Sequence, residues 1–189
     1  MQPAAPVLPH APRPLAVVAA RLPLAPISAL LSALCRDLDK RHPSLRRRLG
    51  IHGERRFALE LSDLPLALLL EPTARRVTAH RPGQLPAHDA RISGTLSAFL
   101  GMVHGRFDAD ALFFSRDLSI DGDTEAALAL RNAIDDAELD LGAELLARIE
   151  ALPPGLPPGL HTALSHAIGL AERLTGLALT RPSHLAETR

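Results

Sequence analysis

A chain of 189 residues, 47% of them apolar, is long enough for one domain with a substantial core, since about 70% of the unfolded surface can be buried at this size. Trp and Tyr are absent and Phe occurs only five times, so the core and any pocket in it must be aliphatic, and the stacking platforms that single-stranded nucleic acid needs are missing. Charge balances at 21 against 21 but is polarised: residues 1–60 carry ten Lys or Arg against four acids, and residues 108–150 carry three against twelve. The basic front suits an anionic lipid surface, and no nucleic-acid partner is expected.

Cys35 is the sole cysteine, which excludes an intramolecular disulfide and fits a reducing cytoplasm. Its neighbours Leu30, Leu31, Leu34 and Leu38 make it a small apolar core residue and not a nucleophile. Five prolines between Pro3 and Pro14 interrupt any secretory h-region, and no run of 18 apolar residues occurs, so no membrane span is expected.

Residues 1–14, rich in Pro and Ala, read as disordered. A short apolar helix follows from Leu15 to Leu22, stopped by Pro23, and a longer one from Ile27 to about Arg41, with Ile27, Leu30, Leu31, Leu34 and Leu38 on one stripe. "RRRLG" then reads as a solvated helix end. In "RRFALELSD" the period changes to two, placing Phe57, Leu59 and Leu61 on one face of a first strand. "PLALLLEP" gives a second strand, apolar on both faces, and "RRVTAHR" and "HDARISG" give a third and a fourth, which together predict an antiparallel meander. Helix returns in "TLSAFLGMVHG", with Leu96, Phe99, Leu100 and Val103 sharing a face.

The stretch from Leu112 to Asp140, "LFFSRDLSIDGDTEAALALRNAIDDAELD", carries two of the five phenylalanines side by side. "DADALFF" predicts one helical turn capped by Asp108, and "DLSIDG" a fifth strand with Leu118 and Ile120 inward. Gly122 permits a tight exit, and Asp123 and Glu125 start a helix whose inner stripe is Ala127, Leu130, Ile134, Ala137 and Leu141. A calcium loop beginning at Asp121 would require Gly at its sixth place and Glu at its twelfth, where Ala126 and Asn132 stand, so no metal is expected. His161 and His166 are five apart and share no helix face. There is no G-x-S-x-G elbow, P-loop or G-x-G-x-x-G, and no cofactor is expected.

This order of elements resembles the sterol carrier protein type two fold. The run holding Phe113, Phe114, Arg116, Ile120, Gly122, Asp123, Thr124, Glu125, Leu128, Arg131, Asn132, Asp135 and Glu138 resembles, more closely, the UbiT type of bacterial ubiquinone biosynthesis accessory factor in that superfamily. The resemblance implies an α+β fold: a five-stranded, largely antiparallel sheet covered by helices around an apolar cavity, with flanking helices at each end. It implies a non-enzymatic, lipid-binding accessory factor for the oxygen-independent route to ubiquinone. Such a factor would bind isoprenoid quinone intermediates or phospholipids and present them to hydroxylases of the iron-sulfur, peptidase-like kind. A cytoplasmic protein, peripheral at the inner membrane, follows. The alternative is a scaffold of a quinone-biosynthesis complex whose cavity is filled by its own side chains.

Ten buried methylenes contribute about 8 kcal/mol against an association cost of about 4 to 15 kcal/mol, so only a deep, dry cavity could hold an isoprenoid tail. Its candidate walls are Phe57, Leu59, Leu61, Leu66, Leu68, Leu70 and Ile92, closed by Phe99, Leu100, Val103, Phe113, Phe114, Leu118 and Ile120. Each taken singly is equally an ordinary core residue. The chain thus divides into a Pro-rich extension (1–26), a sterol-carrier-like domain (27–140), a helical extension (141–180) and a disordered tail (181–189). After the stiff "LPPGLPPGL", residues 160–177 form an amphipathic helix with only Glu172 and Arg173 charged. That helix packs on the domain, covers the cavity mouth, or joins the 15–22 segment and the basic front in exchanging lipid at a bilayer.

Overall fold

The computed structural model describes residues 11, 13–96, 98–99 and 118–136. The expectations for residues 1–10, the "DADALFF" turn, the rest of the "TLSAFLGMVHG" helix and everything beyond Asp136 lie outside these residues, whereas the reading of Ala11, Arg13 and Pro14 as disordered is corrected: Ala11 N–H donates to Asp63 Oδ2 at 2.7 Å, and Arg13 and Pro14 open a helix.

Helix α1 spans Arg13–Arg21. Its last carbonyls have no partner within the helix, and the Arg81 guanidinium supplies one from the far end of the sheet, donating to Ala19 O at 2.9 Å and Leu22 O at 2.8 Å, and to Pro65 O at 3.2 Å. Helix α2 spans Leu24–Arg41, starting ahead of the predicted Ile27 because Pro26 falls in the first turn, where no N–H is needed. Ile27, Leu30, Leu34 and Leu38 are buried at their three- and four-residue spacing. His42 N–H closes the helix on Leu38 O, and Pro43 prevents a further turn. The basic segment then forms helix α3, Ser44–Leu49, and a 3-10 turn, Gly50–Glu54. Leu45 and Leu49 hold α3 on the core, which "RRRLG" alone did not reveal.

Strands β1 (Phe57–Leu61), β2 (Ala67–Glu71), β3 (Arg76–His80), β4 (Ala90–Gly94) and β5 (Leu118–Gly122) form one sheet in the order β3-β2-β1-β4-β5. The sheet is five-stranded and largely antiparallel, but the predicted meander of four strands is corrected. Only β1, β2 and β3 form a meander; β4 lies beside β1 and runs parallel to it. The 81–89 link, carrying two prolines and a left-handed Gly83, carries the chain back across the sheet instead of turning a hairpin. Arg56 and Asp89 register the new pair: Asp89 N–H donates to Arg56 O at 2.9 Å, and Arg56 N–H donates to Asp89 Oδ2 at 2.8 Å.

α2 covers the open edge of β3. Ser32 Oγ donates to Val77 O at 2.8 Å and accepts Val77 N–H at 3.0 Å, while Ser28 Oγ accepts Ala79 N–H at 2.8 Å. Two serines one helical turn apart thus match two residues of one strand face, and the outward backbone groups of an edge strand are satisfied. Helix α4, Thr124–Asp136, lies with α3 against the other part of the sheet. Its Ala126, Ala127, Leu130 and Ala133 are buried, and the alanines let its backbone come close. Among the described residues the buried polar groups are Ser32, Asp39 and Thr95. Ser32 serves the β3 edge, Asp39 takes Arg46 Nε at 2.6 Å and Arg75 Nε at 3.4 Å, and Thr95 Oγ1 accepts Ala98 N–H at 3.1 Å.

Candidate functional site

Strand register sorts the sheet residues onto two faces. Opposed partners share a face, so Val77, Leu70, Phe57 and Ala90 form one row, and Ala79, Leu68, Leu59, Ile92 and Ile120 form the next. A third row holds Leu61, Gly94 and Leu118, with Leu66 brought opposite Leu61 by the Leu61 N–H to Leu66 O bond of 3.3 Å. Every side chain in these rows is apolar. The opposite face carries Glu60, Thr78, His80, Arg91, Ser93, Ser119 and Asp121 around a small apolar centre of Ala58, Ala67 and Leu69, which matches the prediction that β2 is apolar on both sides.

The apolar face is not uniform in burial. Phe57 is 0% exposed, Ile92 2% and Leu118 3%, and all three pack with Leu49, Ala98 and the inner face of α4. Leu59, Leu66, Leu68, Leu70 and Ile120 stand beside them only half-buried. Phe99 packs against the same cluster from the helical turn that begins at Leu96, where Leu96 N–H donates to Asp63 Oδ1 at 2.9 Å. The structure therefore brings together Phe57, Leu59, Leu61, Leu66, Leu68, Leu70, Ile92, Phe99, Leu118 and Ile120. The predicted Leu100, Val103, Phe113 and Phe114 lie outside the described residues. Val77 and Ala79 belong to the face but were missed, although the alternation in "RVTAH" places them together.

At the far ends of β1, β4 and β5 lies a polar joint. Gly122, with φ of 81°, lets Asp123 N–H reach Asp89 O at 2.9 Å, and a Cβ at this glycine would collide with that carbonyl oxygen. Asp123 caps α4, its Oδ1 accepting Ala126 N–H at 3.0 Å, and its Oδ2 lies 3.3 Å from Arg55 Nε. Arg55 Nη1 lies 3.8 Å from Asp89 as well. "IDGD" is thus a strand-to-helix joint, as its capping pattern predicts. On the polar face, a hydrogen bond from Arg76 holds the Glu71 carboxyl below its ordinary range. Among the described residues no three His, Cys, Asp or Glu side chains are grouped as metal ligands, and no helix is long and apolar enough to cross a membrane. Chemically, the apolar rows offer desolvation and dispersion, and no proton donor or nucleophile projects from them.

Residues 32–135, more than half of the chain, match the model of the SCP-2 sterol transfer family. The chain belongs to the SCP-2 sterol transfer family. Its matched region starts inside α2 and ends inside α4, so it contains the whole sheet and both faces described above. Among solved structures, the UbiJ-SCP2 ubiquinone synthesis protein is similar at 20% identity and a TM-score of 0.44, covering 61% of this chain and 90% of its own. Sterol carrier protein 2 from Yarrowia lipolytica, in its apo form, is similar at 16% identity and a TM-score of 0.42, covering 59% and 89%. A further sterol carrier protein 2 gives 18% identity and a TM-score of 0.42, covering 59% and 95%. No protein of curated function matches the chain significantly in sequence. Membership of the SCP-2 family rests on the sequence match and not on these likenesses.

Proposed function

We propose that this protein is a non-enzymatic lipid carrier whose cargo lies in a cavity walled by the apolar sheet face. One observation carries the reading: on a face with no polar side chain, Leu59, Leu66, Leu68, Leu70 and Ile120 remain half-buried beside a fully packed centre. A soluble domain gains by closing such a strip, and a hydrocarbon guest closes it at about 0.8 kcal/mol per buried methylene. Membership of the SCP-2 sterol transfer family supports the same reading. The proposed walls are Phe57, Leu59, Leu61, Leu66, Leu68, Leu70, Ile92, Phe99, Leu118 and Ile120, joined by Leu100, Val103, Phe113 and Phe114.

The cargo we infer is an isoprenoid quinone precursor or a phospholipid, handed to the iron-sulfur hydroxylases of oxygen-independent ubiquinone synthesis by a cytoplasmic protein peripheral at the inner membrane. Support for this finer reading is the resemblance of residues 110–139 to UbiT-type factors. Mass spectrometry of the gently purified chain tests the carrier, and quinone profiles of cells lacking the protein, grown with and without oxygen, test the pathway. A carrier retains lipid through purification, and the pathway reading requires ubiquinone to fall mainly without oxygen. A scaffold filled by its own side chains is the second reading, favoured by the complete burial of Phe57. It predicts protein free of lipid.

A further inference from the structure

Ile51 is 85% exposed, the most exposed large apolar side chain among the described residues. It sits in the 3-10 turn Gly50–Glu54 that leads from α3 to β1. Packing does not require it, because Leu49 and Gly53 supply the buried positions on either side. Its surroundings are strongly basic: residues 40–56 hold seven Lys or Arg and one acid, Glu54. Three of these cations serve the fold, Arg41 on Asp37, Arg46 on Asp39, and Arg55 on Asp89 and Asp123. Leu45 and Leu49 turn the inner side of α3 to the core, which leaves Arg47 half a turn away on the exposed side. Lys40 is exposed at the end of α2.

We propose that the Gly50–Glu54 turn docks the protein on an anionic phospholipid bilayer, with Ile51 entering the interface and Arg47 and Lys40 on the headgroup phosphates. Stable peripheral attachment takes two signals, and this turn combines an aliphatic anchor with positive charge. A protein partner is disfavoured by area, since a standard interface takes about 800 Å² from each side and one isoleucine offers far less. The proposal rests on the carrier reading only in taking a bilayer as the source of cargo. Vesicle flotation reads docking and the lipid content of purified protein reads cargo, so either fails without the other.

The test is flotation of the full chain with vesicles of phosphatidylglycerol and phosphatidylcholine, and with phosphatidylcholine alone. The expected result is binding to the anionic vesicles only, weakened by salt. Ile51→Asp is expected to weaken apparent affinity about tenfold or more, from the lost burial of one aliphatic side chain, and Ile51→Trp to retain or tighten it. Because Ile51 is outside the core, both variants keep the parent's thermal transition. Unchanged binding by Ile51→Asp overturns the proposal. So does a parent that ignores anionic vesicles, or one that binds heparin as well as vesicles with neither interaction sensitive to Ile51.

Discussion

Gly122 shows how one missing Cβ fixes a joint. Its φ of 81° lies where side chains cost about 1 kcal/mol, and the approach of the Asp89 carbonyl leaves no room for one. Gly83 provides the control, with φ of 75° but no atom within 4 Å of the place a Cβ would take. Gly83→Ala is therefore expected to cost about 1 kcal/mol, the backbone term alone, and Gly122→Ala at least about 1 kcal/mol more. Urea unfolding of the two variants measures the difference, and equal losses would refute the steric account. Cys35 gives a pH-dependent counterpart. Burial, and then the nearby Asp39 carboxylate, raise its thiol above the ordinary 9.0. A folded pKa above the unfolded one contributes stability that is present below the unfolded value and lost as pH rises through the folded one. Alkylation of native protein at pH 8 is accordingly expected to be slower than that of urea-unfolded protein, which a labelling time course reads directly.

Between α2 and β3, pairing is achieved by two hydroxyls. Ser32→Ala would leave the outward N–H and C=O of Val77 without their bonds, at a cost of about 1–3 kcal/mol, while Ser28→Ala removes one acceptor from Ala79 and is expected to cost less. Faster amide exchange at Val77 and Ala79, ahead of global unfolding, is the local signature of the same change. Equal protection in both variants and parent would show that the serines do not hold the edge. Neither serine was legible as such, because a Ser in a helix gives no sign of the strand it will meet 45 or 51 residues later. The elements themselves were legible where period and punctuation agree. All five strands, the long helix ending before Pro43 and the Asp123-capped helix stand where alternation, proline and capping place them. The parallel β1–β4 pairing was not, because alternation assigns a strand its faces but not its neighbour. "RRRLG" is the solvated helix end expected of it, with Arg46, Arg47 and Arg48 exposed in the last turn of α3, but the three arginines mask its buried face of Leu45 and Leu49.

At the scale of the whole molecule, the apolar face has two demands placed on it, since the same sheet must stabilise the domain and, as a carrier, leave part of itself to a guest. Burial divides the two roles. Phe57 is 0% exposed, and Phe57→Ala is expected to cost about 3–5 kcal/mol by leaving a void among Leu49, Ala90 and α4. Leu59 and Leu68 are opposed across β1 and β2 and only half-buried, so the paired change to Gln removes apolar surface from the strip without emptying the centre. That double variant is expected to lose about 1–2 kcal/mol of stability while losing at least half of the lipid that co-purifies with the parent. Leu128→Gln, at a residue of α4 that is 43% exposed, should alter neither quantity. Thermal unfolding and quantitative lipid extraction of the three proteins separate the roles. If the Leu59 and Leu68 variant carries as much lipid as Leu128→Gln, the strip is not where cargo lies; if the parent carries none, the half-open leucines serve contacts between proteins, as the scaffold requires.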